Sequence, residues 1–141
     1  MAPTTYTGGV KMTTVFVYGS LMGGFWNNKL LEEQEYLGIA KTRAEFNLYS
    51  LGSFPGVVDG TTVVIGEVYN VDERCLASLD NLEGYDRDYP ERSFYTRRLI
   101  TLADRQKAWI YVFNRAGKDK ELIASGDWRK WIDERGRHRY A

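Results

Sequence analysis

The sequence predicts an α+β fold, a small mixed, largely antiparallel β-barrel with a few short helices. Several short stretches rich in β-branched and aromatic residues alternate with glycine-containing or polar turns, which indicates strands. One segment, residues 72–84, changes to the 3.6-residue period of a helix that buries one side. No repeat, low-complexity run or linker divides the chain, so residues 13–141 are expected to form one domain.

Composition excludes several classes of function. The 141 residues carry 19 acidic and 19 basic side chains, and this balance gives no field that would attract nucleic acid or a membrane surface. The chain has one cysteine, Cys75, and one histidine, His138, which argues against a disulfide framework, a metal site or a histidine-activated nucleophile. We therefore expect no metal, no nucleic-acid partner and no membrane partner, and the oligomeric state is left open.

The N-terminal residues suggest neither export nor membrane anchoring. No apolar run approaches the roughly 20 residues that a membrane-spanning helix needs, and residues 1–12 lack the apolar stretch of a signal peptide. We expect a cytoplasmic protein. Residues 1–12, which are rich in threonine and glycine, are predicted to form a mobile arm outside the fold.

The first predicted strand, residues 13–18, leads into a glycine-rich loop. Val15, Phe16 and Val17 make the strand apolar on both faces, as expected for the centre of a sheet. The loop passes through Gly19 and is followed by a predicted helix over residues 25–35, so several backbone N–H groups should face an anion or a polarised carbonyl. Neither Gly-Lys-Ser/Thr nor Gly-x-Gly-x-x-Gly is present, which argues against a nucleotide loop.

The other predicted elements follow in chain order. They are strands over residues 36–46, 47–51, 61–71, 93–102 and 107–114, a loop over 52–56, and a short helix over 118–124. Gly66 indicates a bulge or a close backbone approach, and the polar residues 103–106 join the last two strands as a hairpin. Residues 127–141 are interpreted as a solvated tail whose tryptophans, Trp128 and Trp131, pack onto the body.

Glu83 lies at the end of the predicted helix, in the last turn before Gly84. Asp72 is the predicted N-cap, Leu76 and Leu79 share one side of the helix with Glu83, and Leu82 lies beside them. Burial and the negative helix C-terminus should both raise the pKa of this carboxyl, so that it could take up a proton and return it. Periodicity alone leaves open the alternative that Glu83 turns into solvent at a frayed helix end.

Several short motifs, taken together in order and spacing, carry a family resemblance. They are Tyr18-Gly19-Ser20-Leu21, Gly66-Glu67-Val68-Tyr69, Leu79-Asp80, Leu82-Glu83-Gly84-Tyr85-Asp86, and Tyr95 with Arg97. Over residues 13–114 the chain resembles the gamma-glutamylcyclotransferase-like proteins, which include gamma-glutamylamine cyclotransferases. The resemblance implies a cofactor-free enzyme acting on a small γ-glutamyl compound, whose own α-amine attacks the γ-carbonyl to give 5-oxoproline and a free amine or amino acid.

The resemblance also implies roles for particular residues. Glu83 would be the catalytic acid/base, Tyr18, Gly19, Ser20 and Leu21 would bind substrate, and Tyr95 would line the pocket. Ser20 lies outside any nucleophile elbow and is interpreted as a loop former. Residues 22–24 read Met-Gly-Gly where many relatives carry a basic residue, which leaves the released group open among an amino acid, an amine and a lysine isopeptide. The alternative function, suggested by the Met-Gly-Gly sequence and the tryptophans of the C-terminal tail, is a non-catalytic binding module of the same fold.

Overall fold

The computed structural model describes residues 4–7, 10–114 and 120–136 of the chain. Its strands are β1 (Thr4–Thr7), β2 (Val10–Val17), β3 (Glu35–Lys41), β4 (Phe46–Ser50), β5 (Pro55–Asp59), β6 (Ile65–Asp72), β7 (Tyr95–Thr101), β8 (Lys107–Phe113) and β9 (Glu121–Leu122). Its helices are α1 (Glu73–Leu82), α2 (Trp128–Glu134) and two 3-10 helices, Trp26–Leu31 and Pro90–Arg92. None of the helices in these ranges is long and apolar enough to span a membrane.

Two sheets organise the chain. The larger has the order β3-β6-β2-β8-β7, with β1 also paired to β2, and the smaller has the order β5-β4-β9. Neighbouring strands run antiparallel except β2 and β8, which pair in parallel at Val15↔Trp109 and Phe16↔Ile110. The predicted α+β class with mixed, largely antiparallel strands and few helices is therefore confirmed. Closure of the sheets into a barrel stays a prediction.

Strand β2 is central, as its apolar run predicts. It lies between β6 and β8, and Val15, Phe16 and Val17 are at most 3% exposed. The close backbone approach predicted at Gly66 is also confirmed, because a Cβ there would lie 2.3 Å from the carbonyl oxygen of Val17. The end of β2 therefore packs closely against β6, and this contact fixes the start of the loop that follows β2.

The N-terminal arm is predicted wrongly where it is described. Residues 10–12 extend β2, and Thr4–Thr7 pairs with it in antiparallel register, so this segment adds a strand to the sheet. Residues 1–3 and 8–9 lie outside the described part of the chain. The β-branched threonines and Val10 are compatible with a strand, but the threonine- and glycine-rich composition suggested a mobile arm.

Two elements near the loops differ from prediction. The helix expected over residues 25–35 is the shorter 3-10 helix Trp26–Leu31, because Leu31 is buried while Trp26 stays 57% exposed and offers the core no long apolar stripe. Residues 55–56 of the predicted loop begin strand β5. Pro55 is tolerated there as the first residue of the strand.

The C-terminal region folds more than the sequence suggests. The helix predicted over residues 118–124 is wrong for residues 121–122, which form strand β9, while residues 118–119 lie outside the described part. The expected tail contains α2, whose N-cap Asp127 accepts a hydrogen bond from the backbone N–H of Lys130. Trp128 and Trp131 are 1% and 8% exposed, so their predicted packing onto the body is confirmed.

Candidate active site

A cavity of about 280 Å³ lies at the end of β2 and brings together all the residues predicted for the site. Glu83 lines it from the end of α1, Tyr18 to Leu21 line it from the loop after β2, and Tyr95 lines it from β7. The other lining residues are Phe16, Val17, Asn27, Phe54, Pro55, Leu82, Phe94 and Tyr111. Segments that are more than 60 positions apart in the chain thus share one space.

Helix α1 positions Glu83. Its N-cap is Asp72, as predicted, and the Asp72 carboxylate accepts a hydrogen bond of 2.8 Å from the N–H of Cys75. The helix ends as predicted before Gly84, whose φ of +64° lies in the left-handed region that favours glycine. Leu82 differs from expectation, because it is 41% exposed and lines the cavity instead of the core.

Burial raises the pKa of Glu83 from 4.5 to about 7. The surrounding side chains are mostly apolar or aromatic, and none of the described residues that line the cavity is a lysine or an arginine. The contribution predicted for the negative helix C-terminus stays a prediction. Glu83 is therefore a half-buried carboxyl that exchanges a proton near neutral pH.

Three tyrosines form walls of the cavity and keep their protons. Burial, to which the Glu83 charge adds, raises the pKa of Tyr18, Tyr95 and Tyr111. Their hydroxyl groups donate to the carbonyl of Tyr111 at 2.7 Å, the carbonyl of Pro55 at 2.6 Å and the carboxylate of Asp80 at 2.7 Å, respectively. The phenols thus have partners within the protein, and among the described lining residues Glu83 is the one whose pKa lies near neutral pH.

The loop after β2 is held through its carbonyl groups and side chains. Met22 N–H donates to the Gly19 carbonyl at 3.0 Å, and Asn27 donates through its backbone N–H and its side chain to the carbonyl and hydroxyl oxygens of Ser20. Within the described part of the chain, the N–H groups of Gly19, Ser20 and Leu21 donate to no backbone acceptor. These groups fit the predicted open N–H set.

Gly19 is needed for the shape of the loop. A Cβ at this position would lie 2.8 Å from Cγ of Pro55 in β5, closer than real Cβ contacts come. The Ser20 hydroxyl is engaged with Asn27 at 2.9 Å, which agrees with its interpretation as a loop former.

The buried carboxylate of Glu67 helps to hold the loop after β2. Glu67 in β6 is 5% exposed and accepts hydrogen bonds from the N–H of Gly23 at 2.8 Å and from the hydroxyl of Tyr69 at 3.0 Å. Arg129 in α2 donates to Glu67 at 3.0 Å and to the Gly23 carbonyl at 2.7 Å. The Met-Gly-Gly sequence at residues 22–24 is therefore where β6 and α2 hold the loop.

Sequence reasoning missed several residues of this site. Tyr111 and Phe94 were seen only as strand residues and Phe54 as a loop residue, and Glu67 was part of a motif without a role. The remaining candidates for chemistry lie elsewhere. No group of metal-binding side chains occurs among the described residues, and Cys75 is a buried thiol whose pKa burial raises to about 11.

Comparison with known proteins assigns the chain to a family. The family model described as gamma-glutamyl cyclotransferase, AIG2-like, matches residues 15–130, and the chain belongs to this family. A protein from Vibrio cholerae is 43% identical over 118 residues, which cover 81% of this chain and 93% of the relative.

Two further relatives add a solved structure and a more specifically named activity. The gamma-glutamylcyclotransferase family protein YtfP of Escherichia coli has a solution structure that matches with a TM-score of 0.64 at 38% identity, covering 82% of this chain and 96% of that one. A protein of Niallia circulans named gamma-L-glutamyl-butirosin B gamma-glutamyl cyclotransferase is 28% identical over 127 residues, covering 88% of this chain and 80% of that protein.

Proposed function

We propose that the protein is a gamma-glutamylcyclotransferase, which converts a small γ-glutamyl compound to 5-oxoproline and releases an amine or amino acid. The observation that carries the proposal is that Glu83, with a pKa of about 7, shares one cavity with the loop from Tyr18 to Leu21. Family membership and the activity for which the Niallia circulans relative is named support it.

Glu83 moves the proton in the proposed reaction. The substrate's α-amine attacks its own γ-carbonyl, so a ring C–N bond forms while the amide C–N bond breaks. Ionised Glu83 takes the proton that the attacking amine loses and returns it to the departing nitrogen. The reaction is an exchange of one amide for another within the substrate, so it consumes no water and needs no enzyme nucleophile.

The loop and the tyrosine walls would position the substrate and stabilise its negative charge. The N–H groups of Gly19, Ser20 and Leu21 would hold the substrate carboxylate or the oxyanion that develops on the γ-carbonyl. The rings of Tyr18 and Tyr95 would hold the γ-glutamyl chain folded for cyclisation, which lowers the entropy cost of closing the ring.

The test is formation of 5-oxoproline from a panel of γ-glutamyl compounds. Glu83→Gln keeps the size of the side chain and removes its basicity, so we expect a loss in kcat of about 100-fold or more. The matched control is Glu91→Gln, an exposed glutamate outside the cavity, which should retain activity. Absence of turnover by the unaltered protein, or full activity in Glu83→Gln, would exclude the proposal.

The alternative function, a non-catalytic binding module, has less support from the structure than from the sequence alone. Gly23 is held by Glu67 and Arg129, and the tryptophans of α2 are buried and do not line the cavity. The two features that suggested a module thus have structural explanations. Binding of 5-oxoproline without turnover of any γ-glutamyl compound would favour the module.

A further inference from the structure

One side of the cavity mouth is apolar. Phe54, Leu82 and Phe94, here called the apolar rim, all line the cavity and are 39%, 41% and 39% exposed. The tyrosine walls, in contrast, are at most 6% exposed. Exposure therefore separates an enclosed inner part of the cavity from a rim that meets solvent.

The apolar rim lies on the side of Glu83. Leu82 directly precedes it, and the N–H of Phe94 donates to the carbonyl of Gly84 at 3.1 Å. The ring of Phe54 completes the rim, with its centroid 6.1 Å from that of Phe94. The three side chains thus stand next to the helix end that presents the proton-exchanging carboxyl.

The proposed reaction places the departing nitrogen within reach of Glu83, because that carboxyl returns the proton. In the proposed reaction the open N–H groups of Gly19 to Leu21 would hold the glutamyl part, so the substituent on the departing nitrogen would extend along the apolar rim. A carboxylate on that substituent would approach the Glu83 carboxylate and lose its hydration against aromatic carbon. No described lining residue offers it a lysine or an arginine.

Resting on the proposed function, we infer that the preferred substrates are γ-glutamyl amides of uncharged, apolar amines, and that Phe54, Leu82 and Phe94 determine this specificity. The apolar amine leaves with the proton that Glu83 returns, and its alkyl or aryl group is covered by the rim until release. The chemistry at the γ-carbonyl is the same for all γ-glutamyl compounds, so only the released half distinguishes them.

Three synthetic compounds test how the released amine affects the rate. γ-Glutamyl-phenethylamide and γ-glutamyl-phenylalanine differ only in the carboxylate beside the departing nitrogen, and γ-glutamyl-methylamide lacks the aryl group. We expect kcat/KM for the phenethylamide to exceed each of the others by about tenfold or more, which is the range that an apolar subsite can give. The difference from the methylamide should fall mainly in KM, because the rim contact is the same in the ground state and the transition state.

Variants at the rim connect this preference to a residue. Phe54→Ala should reduce the advantage of the phenethylamide over the methylamide at least threefold. Phe54→Arg should shift the preference towards γ-glutamyl-phenylalanine at least tenfold, because it supplies the missing cation. Ile39→Ala, at a 69% exposed position in β3 that does not line the cavity, is the matched control and should keep the preference of the unaltered protein.

The outcomes separate the two proposals. Turnover of all three compounds with γ-glutamyl-phenylalanine equal to or better than the phenethylamide overturns the inference and leaves the cyclotransferase proposal standing. A preference unchanged in both Phe54 variants, measured on folded protein, also overturns the role of the rim. No 5-oxoproline from any compound overturns both proposals.

Discussion

Arg129 and Glu67 form an ion pair of 3.0 Å that joins α2 to β6 directly behind the proposed substrate loop. The Glu67 side chain is 7% exposed, and Arg129, at 29%, is the partner nearer to solvent. Both side chains also hold Gly23, one through its N–H and the other through its carbonyl. Residues near the end of the chain thus help to fix a loop near its beginning.

The first prediction concerns this pair. Arg129→Met leaves a buried carboxylate without its cation and should lower the free energy of unfolding by about 3 kcal/mol. In a double-mutant cycle with Glu67→Gln, measured by urea unfolding, the coupling energy should be on the order of 1 to 2 kcal/mol. The exposed pair Arg98 and Asp59 is the control and should couple by less than about 1 kcal/mol. Additive effects at Glu67 and Arg129 would contradict the prediction.

The second prediction is the pH dependence of activity. Glu83 must be ionised to accept the proton, and its pKa is about 7. We therefore expect kcat/KM to fall about tenfold per pH unit below pH 7, measured as the rate of 5-oxoproline formation. A decline that begins only near pH 4.5 would show that Glu83 is solvated like an ordinary carboxylate.

The third prediction is the pH dependence of stability. The pKa of Glu83 in the folded protein, about 7, is above its ordinary value of 4.5, so its contribution to stability is fully present below pH 4.5 and is lost as the pH rises through 7. Gln does not titrate. The free energy of unfolding of Glu83→Gln, measured relative to that of the unaltered protein, should therefore be higher at pH 8 than at pH 5 by about 2 kcal/mol. Chemical unfolding at the two pH values measures this, and a constant difference would contradict it.

The fourth prediction compares two glycines. A Cβ at Gly66 would meet the carbonyl of Val17 at 2.3 Å, whereas a Cβ at Gly23 would lie 3.7 Å from the Glu67 carboxylate, an ordinary contact. Gly66→Ala should destabilise the fold by about 2 kcal/mol or more, because the backbone of β2 must shift. Gly23→Ala should change stability by less than about 1 kcal/mol. Similar melting temperatures for the two variants would show that β2 and β6 separate easily.

Much of the site could be predicted from short stretches of sequence. The leucine spacing before Glu83 and the stop at Gly84 locate a carboxyl at a helix end, because helix period and capping are local properties. The apolar run of β2 followed by Gly19 likewise predicts a strand and a loop. These elements formed as expected, with their ends shifted by a few residues.

Other parts depend on partners that are distant in sequence. Strand β1 and strand β5 form because neighbouring strands offer hydrogen bonds, although their own residues resemble an arm and a loop. The contact of Arg129 with Gly23 spans 106 positions, and no local pattern indicates it. Phe54 and Phe94 are distant in sequence and meet because the strands that follow them, β5 and β7, place both at the cavity.

The sequence by itself determined that the carboxyl of Glu83 lies at the end of a helix, because helix period and capping are local properties of the chain. It also determined that the chain has only one histidine and one cysteine to offer as other catalytic groups. Only the tertiary structure decided that the half-buried carboxyl of Glu83 shares a cavity with the open N–H groups of the loop and that an apolar rim lies next to it. The pKa of a side chain depends on the solvent it loses, and that loss is set by residues from several strands packed around it.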